Sequence, residues 1–190
     1  MTANWPARSS SRPWVKTPVT FLSGRVVVKV GDITREPCSA IVNAANPSLY
    51  GGGGVDGAIH RAAGPALLAE CRKIRQESYP EGLPPGQAVI TGGGNLAASH
   101  VIHTVGPIWR GGHSGEPRTL ADCYTNSLIV AADHKLDSVA LSAISTGVYG
   151  FPRDIAAEIS SKTVEDFCLN TSFPEALYLS FSPKTTCACF

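Results

Sequence analysis

The residues best suited to chemistry lie close together between Ala40 and Gly64, in the run A-I-V-N-A-A-N-P-S-L-Y-G-G-G-G-V-D-G-A-I-H-R-A-A-G. Two asparagines, Asn43 and Asn46, carry amides that both donate and accept, which suits sugar hydroxyls. Gly51, Gly52, Gly53 and Gly54 follow, and glycines let backbone N–H groups approach an anion closely. Val55 and one carboxylate, Asp56, stand where helical spacing begins, and a helix start adds unpaired donors and a positive dipole end. His60 lies one turn after Asp56 and can pair with it. The chemistry implied is a nucleotide or sugar-phosphate site with a single acid beside it. The plainer role for Asp56 is to cap the helix that follows.

A second glycine-containing loop, Ile144 to Phe151 (I-S-T-G-V-Y-G-F), offers further backbone donors. Both loops need strands before them and helices after them. Val19 to Val30 is rich in β-branched residues and predicts one or two strands joined near Ser23-Gly24. Asp32 and Ile33 follow in a turn, where an aspartate is ordinarily a turn or cap residue and can instead present its carboxylate to a ligand. Short strands are predicted at Ala40–Val42, Gln87–Thr91, Ser99–Val105, Asp137–Ser142 and Ala176–Phe181. The segment from Asn43 to Val55 is read as loop. Helices are predicted from about Ile59, from Pro65 to about Glu77 after a Gly64-Pro65 break, from Leu120 to His134, and from Pro152. Strands alternating with helices make an α/β sandwich over a mixed, mostly parallel sheet, whose ligands bind beyond the carboxyl ends of the strands. The two loops should therefore share one rim.

Composition narrows the function further. At 190 residues the chain is long enough for one domain with a proper core. Charged residues are 16%, below the roughly 25% of typical domains, which argues against disorder by excess charge. The net charge of +1 leaves no broad footprint for nucleic acid. No apolar run reaches the roughly 18 residues of a membrane span. Residues 1–18 read as a flexible tail interrupted by Pro6, Pro13 and Pro18, ahead of a single domain over 19–190. Cys71, Cys123 and Cys168 sit singly in helical stretches as reduced thiols, and with Cys38, Cys187 and Cys189 they indicate a reducing, cytoplasmic setting. His100 and His103 fall on opposite faces of their strand, a poor spacing for shared metal ligation, so both are read as structural and no metal is expected. Gly52-x-Gly54-x-x-Gly57 matches the dinucleotide fingerprint formally, but it lacks the tight strand–turn–helix context and a strand-end acid. No phosphate-binding G-x-x-x-x-G-K-[ST] and no G-x-S-x-G elbow occurs.

Four ordered motifs carry a specific resemblance. Val42 to Asn46, Gly51 to His60, Val101 to Pro107 (V-I-H-T-V-G-P) and Ser145 to Pro152 (S-T-G-V-Y-G-F-P) resemble the macrodomain family, in particular its branch that removes ADP-ribose from proteins. The resemblance runs from about Val26 to Phe181. It implies a three-layer α/β/α sandwich binding ADP-ribose, with Asp32 accepting from the adenine amino group, Ile33 beside it and Phe181 stacking near adenine. Gly52, Gly53, Gly54 and Val55 would hold the diphosphate from one side. Ser145, Thr146, Gly147, Val148 and Tyr149 would hold it from the other. Asn46 would bond the distal ribose, and Asn43 would brace the loop or reach the same sugar. Tyr149 would pack on that ribose, and Asp56 would act near its anomeric carbon. The implied substrates are proteins mono-ADP-ribosylated on acidic side chains, and O-acetyl-ADP-ribose. The protein is expected to act as a monomer and without a cofactor. A non-catalytic ADP-ribose reader and an ADP-ribose-1″-phosphate phosphatase would use nearly the same residues.

Overall fold

Alternation along one buried strand sets the architecture. In β3, Ala40–Ala45, Ala40 and Val42 point into one hydrophobic cluster while Ile41 and Ala45 point into another. Successive side chains of a strand face opposite ways, so β3 must be covered on both sides. The computed structural model, which describes residues 17–181, shows what covers it. The tail expected at residues 1–18 lies almost wholly outside the described residues, as do Cys187 and Cys189.

Two helices lie on the Ile41 side: α1, Gly54–Ala63, and α2, Pro65–Glu77. They bury Ile59, Ala63, Leu67 and Cys71 against that face. Two longer helices lie on the other side: α3, Glu116–Asp133, and α4, Arg153–Asn170. They bury Leu120, Tyr124, Leu128, Ala156 and Val164 against Val42, Ile102 and Leu179. Each fully buried side chain of this size contributes about 1.5–3 kcal/mol. Gly64 separates α1 from α2 at φ +78, a left-handed conformation that glycine adopts without penalty, and Pro65 fits the first turn of α2.

The remaining strands are β1 Val19–Phe21, β2 Val26–Val30, β4 Ala88–Gly92, β5 His100–Val105, β6 Ser138–Leu141 and β7 Ala176–Phe181. They form one seven-stranded sheet in the order β1-β2-β7-β6-β3-β5-β4. The five inner strands run parallel, and β1 and β4 are antiparallel edges. This is the three-layer α/β/α sandwich with a mixed, mostly parallel sheet. The parallel strands all end on one rim, which gathers Asp32, Asn46, Gly106, the loop after β6 and the end of β7. Among the described residues no helix is long and apolar enough to cross a membrane.

The expected Val19–Val30 segment is two antiparallel strands around a 3-10 turn at Leu22–Gly24. One boundary is corrected: β3 does not stop at Val42 but runs to Ala45, so Asn43 lies in the strand and not in the loop. Asparagine ordinarily marks turns. Here its Nδ2 is bonded inside the core to Asp56 and lies beside His103, while its Oδ1 is buried with no partner among the described residues.

Candidate active site

Asn43 and His103 are direct register partners on β3 and β5, and both face the α1–α2 side. Both are fully buried. Asn43 donates from Nδ2 to Asp56 Oδ1 at 2.8 Å, and the same nitrogen lies 3.2 Å from His103 Nδ1. His103 Nε2 meets Thr91 Oγ1 at 2.9 Å. A polar chain therefore runs through the core from β4 to the first turn of α1.

Asp56 ends that chain. The cap role is corrected, because the residue before α1 is Gly53 and no side chain caps the helix. The carboxylate instead accepts from Asn43, from Asn46 Nδ2 at 3.3 Å, and stands 3.5 Å from His60 Nε2. Burial pushes its carboxyl above the ordinary aspartate range, while the Asn43 hydrogen bond and the His60 charge pull it down. Such an opposition between desolvation and specific partners is common at catalytic carboxylates.

Asn46 sits at the mouth. Its Oδ1 accepts from Ser48 N at 2.9 Å and from Ser48 Oγ at 2.5 Å, and its Nδ2 also donates to Gly51 O at 2.9 Å. The loop it anchors packs tightly: a Cβ on Gly52 would lie 3.1 Å from Asn46 Nδ2 and 3.2 Å from Asp56 Oδ2. A Cβ on Gly57 would run into the Gly52 carbonyl oxygen. These glycines bring the loop down onto Asp56. The N–H groups of Gly52, Gly53, Gly54 and Val55 make no hydrogen bond within the described residues, since α1 begins by bonding Gly57 N to Gly53 O.

The loop after β6 faces this one along the rim. Phe151 N bonds Ser145 O, Gly150 N bonds Gly147 O, and Trp109 N bonds Tyr149 O at 2.9 Å. Thr146 ties back to Ala143 O. Phe151 is buried and packs against Trp109 with ring centroids 4.6 Å apart and planes tilted by 58°. The N–H groups of Gly147, Val148 and Tyr149 are left without partners among the described residues. Ser145 holds φ +63 and packs against Gly106, where any side chain would collide with its hydroxyl. Burial raises the Tyr149 phenol, and the Asp56 charge raises it further, so the two residues share one electrostatic space. A cavity of about 310 Å³ opens beside Tyr149, lined by Pro47, Val105, Pro107, Ile108 and Arg110 among others.

The sequence-expected residues thus gather on one rim, with distinctions. Asn43 has no exposed surface, and its partners are Asp56 on α1 and His103 on β5 rather than the loop between. Asp32 caps its own turn, accepting from Thr34 N at 3.1 Å and Thr34 Oγ1 at 2.8 Å, and its carboxylate stays 57% exposed at the rim. Ile33 beside it is buried in the α1–α2 cluster. Phe181 ends β7 on the same rim; its side chain lies outside the described residues.

Sequence reasoning missed Thr91 beside His103 Nε2, while Cys71, read as a reduced thiol, is free and buried. His60, Cys71 and His103 place donor atoms within 4.8 Å of one another, although no sequence spacing indicated a metal. Without a metal, burial and the Asp56 and Glu70 charges push the Cys71 thiol up to about 12, so it holds its proton. His103 Nε2 is already engaged by Thr91.

Comparison with known proteins points one way. A Macro domain family model matches residues 42–160. The chain is 57% identical over 157 residues to an O-acetyl-ADP-ribose deacetylase of Cronobacter turicensis, covering 83% of this chain and 88% of that protein. It is 57% identical over 154 residues to the Escherichia coli protein of the same name, covering 81% and 86%. A solved Oceanobacillus iheyensis macrodomain with ADP superposes with a TM-score of 0.82 at 42% identity, over 89% of this chain and 90% of that one. A Trypanosoma brucei macrodomain in complex with ADP-ribose gives 0.74 at 36%, over 83% and 64%.

Proposed function

The chain belongs to the macrodomain family, and from that premise we propose that it is a hydrolase that binds ADP-ribose and cleaves esters of its distal ribose. Its substrates are O-acetyl-ADP-ribose and proteins mono-ADP-ribosylated on acidic side chains. One bond type unites them, a carboxylic ester to the same sugar. The relatives' shared name and the ligands in the solved macrodomains support the ligand and the acetyl substrate. The protein substrate rests on that shared ester bond.

The observation that carries the reading is the placement of Asp56. Its carboxylate is fixed by Asn43 and Asn46 at the base of two loops whose free N–H groups can take a diphosphate. With the diphosphate held there, the distal ribose falls between Asn46, Tyr149 and Asp56. Asp56 then orients a water and accepts its proton as the oxygen adds to the ester carbonyl carbon. The bond from that carbon to the ribose oxygen breaks, that oxygen takes the proton from Asp56 to become the sugar hydroxyl, and the acid departs.

The test uses two labelled substrates in parallel, O-acetyl-ADP-ribose and a protein mono-ADP-ribosylated on glutamate, beside a calorimetric titration with ADP-ribose. Release from both, with ADP-ribose bound, is the expected result. Binding without release from either would make the protein a reader. Release of acetate alone would remove the protein substrate.

A further inference from the structure

We propose that His103 is a positioning residue for Asp56: its unprotonated Nδ1 holds the Asn43 amide with N–H, not C=O, turned toward the carboxylate. This rests on the reading of Asp56 as the acid of the reaction. In this orientation the Asn43 carbonyl oxygen is buried with no partner among the described residues, so the two contacts of its nitrogen must hold it. One atom of Asn43 lies 2.8 Å from Asp56 Oδ1 and 3.2 Å from His103 Nδ1. If that atom is nitrogen, its two hydrogens serve both neighbours. If the amide turns over, a carbonyl oxygen faces an ionised carboxylate, and the pair is stable only when Asp56 is protonated.

Which way the amide turns depends on where His103 carries its proton. Two groups meet His103 Nε2, the Thr91 hydroxyl oxygen at 2.9 Å and the Cys71 sulfur at 3.7 Å, and the Thr91 oxygen also reaches the Val101 carbonyl at 3.4 Å. With the Thr91 hydrogen on that carbonyl and both Thr91 and Cys71 accepting, Nε2 carries the proton and Nδ1 accepts from Asn43. Donors run one way, from Asn43 through His103 and Thr91 to a strand carbonyl, and the second Asn43 hydrogen goes to Asp56. The ring stays neutral, because complete burial and then the His60 charge push its pKa down to about 3. The other titratable groups facing Asp56 are His60 on α1, Cys71 on α2 and Tyr149 on the loop after β6. Glu70 adds its charge at Cys71. None of them contacts Asn43 Nδ2.

Two measurements test this on the full-length chain. Nitrogen-15 spectra at pH 7, with His103 assigned by its loss in His103→Asn, should show protonated Nε2 and bare Nδ1; the opposite tautomer would overturn the proposal. Second, the acid limb of the kcat–pH profile should move up by about one pH unit in His103→Phe, which fills the space without an acceptor. ADP-ribose Kd should stay within about threefold, because His103 does not face the ligand. His103→Asn places an amide oxygen near the Nδ1 position and should return the limb to that of the parent. An unmoved limb in His103→Phe, or equal shifts in both variants, would show that His103 only fills space. Should the parent release nothing, the reading of function fails on its own. The carbon-13 titration of the Asp56 carboxyl then replaces the kinetic limb, with the same expected order of variants.

Discussion

The loop after β3 and the loop after β6 leave the same rim, but they are held in opposite ways. The first is wired by side chains. Asn46 bonds Ser48, Gly51 and Asp56, and Leu49 is fully buried beneath it. Leu83 N ties Pro47 down from a third segment. The second loop is anchored at its ends by Phe151 and by the bond from Trp109 to Tyr149, while Val148 at its centre is 99% exposed. Chemistry needs atoms held to fractions of an ångström, which buried, mutually bonded side chains provide. Gripping an anion needs only N–H groups that can converge on it. The contrast suggests that the first loop does the chemistry and the second does the holding.

The strongest way to break that comparison is to remove the acid. Asp56→Asn should lower ester hydrolysis at least about 100-fold, the ordinary contribution of a positioned general base. ADP-ribose affinity should change little, because the N–H donors of both loops remain. Single-turnover release and calorimetry on the same preparation separate the two effects. Hydrolysis within tenfold of the parent would reduce the first loop to a cradle like the second.

The wiring behind the first loop also predicts a pH dependence that the second loop lacks. His103 is neutral in the fold with a pKa of about 3, against an ordinary value of 6.5. A depressed histidine contributes stability that is complete above the ordinary value and is lost as pH falls from there toward the folded value. Unfolding free energy should therefore drop by up to about 1.4 kcal/mol for each pH unit below 6.5. Asp56 acts with the opposite sign. Its folded pKa is raised, so its contribution is present below the ordinary aspartate range and lost as pH rises through the folded value. Urea unfolding at pH 7 and pH 5 reads the sum, and His103→Asn should flatten the slope below pH 6.5. An unchanged slope would mean that His103 takes up its proton without unfolding.

Much of this was legible in sequence, for physical reasons that differ by element. The break at Gly64-Pro65 and the extent of α2 were readable because glycine and proline constrain the backbone locally. The rim location of both loops followed from alternating strands and helices. The extension of β3 through Asn43 was not readable, because it depends on partners from β5 and α1 that only the fold supplies. For the same reason the spacing of His100 and His103 suggested a merely structural histidine. Spacing within a strand says nothing about what stands opposite. The function itself became specific only through four motifs taken together, since Gly52, Gly54 and Gly57 alone also fit a different nucleotide fold.

The finest test compares a single methyl beneath the first loop with one in the second. Gly57→Ala should gain about 1 kcal/mol of helix propensity in α1. It also forces a Cβ into the Gly52 carbonyl, a backbone atom that cannot rotate away. Overpacking of that kind costs about 1–3 kcal/mol, so the clash should outweigh the propensity. The first loop would be pushed off Asp56, and kcat should fall together with stability. Gly147→Ala adds the same methyl where nothing lies within 4 Å and φ is not left-handed, so the unfolding free energy should move by no more than about 0.5 kcal/mol. Equal losses in the two variants, measured by denaturant unfolding, would mean that both loops are packed alike. A loss confined to Gly57→Ala would place the rigidity where the carboxylate is, and leave the second loop free to close on whatever phosphate it meets.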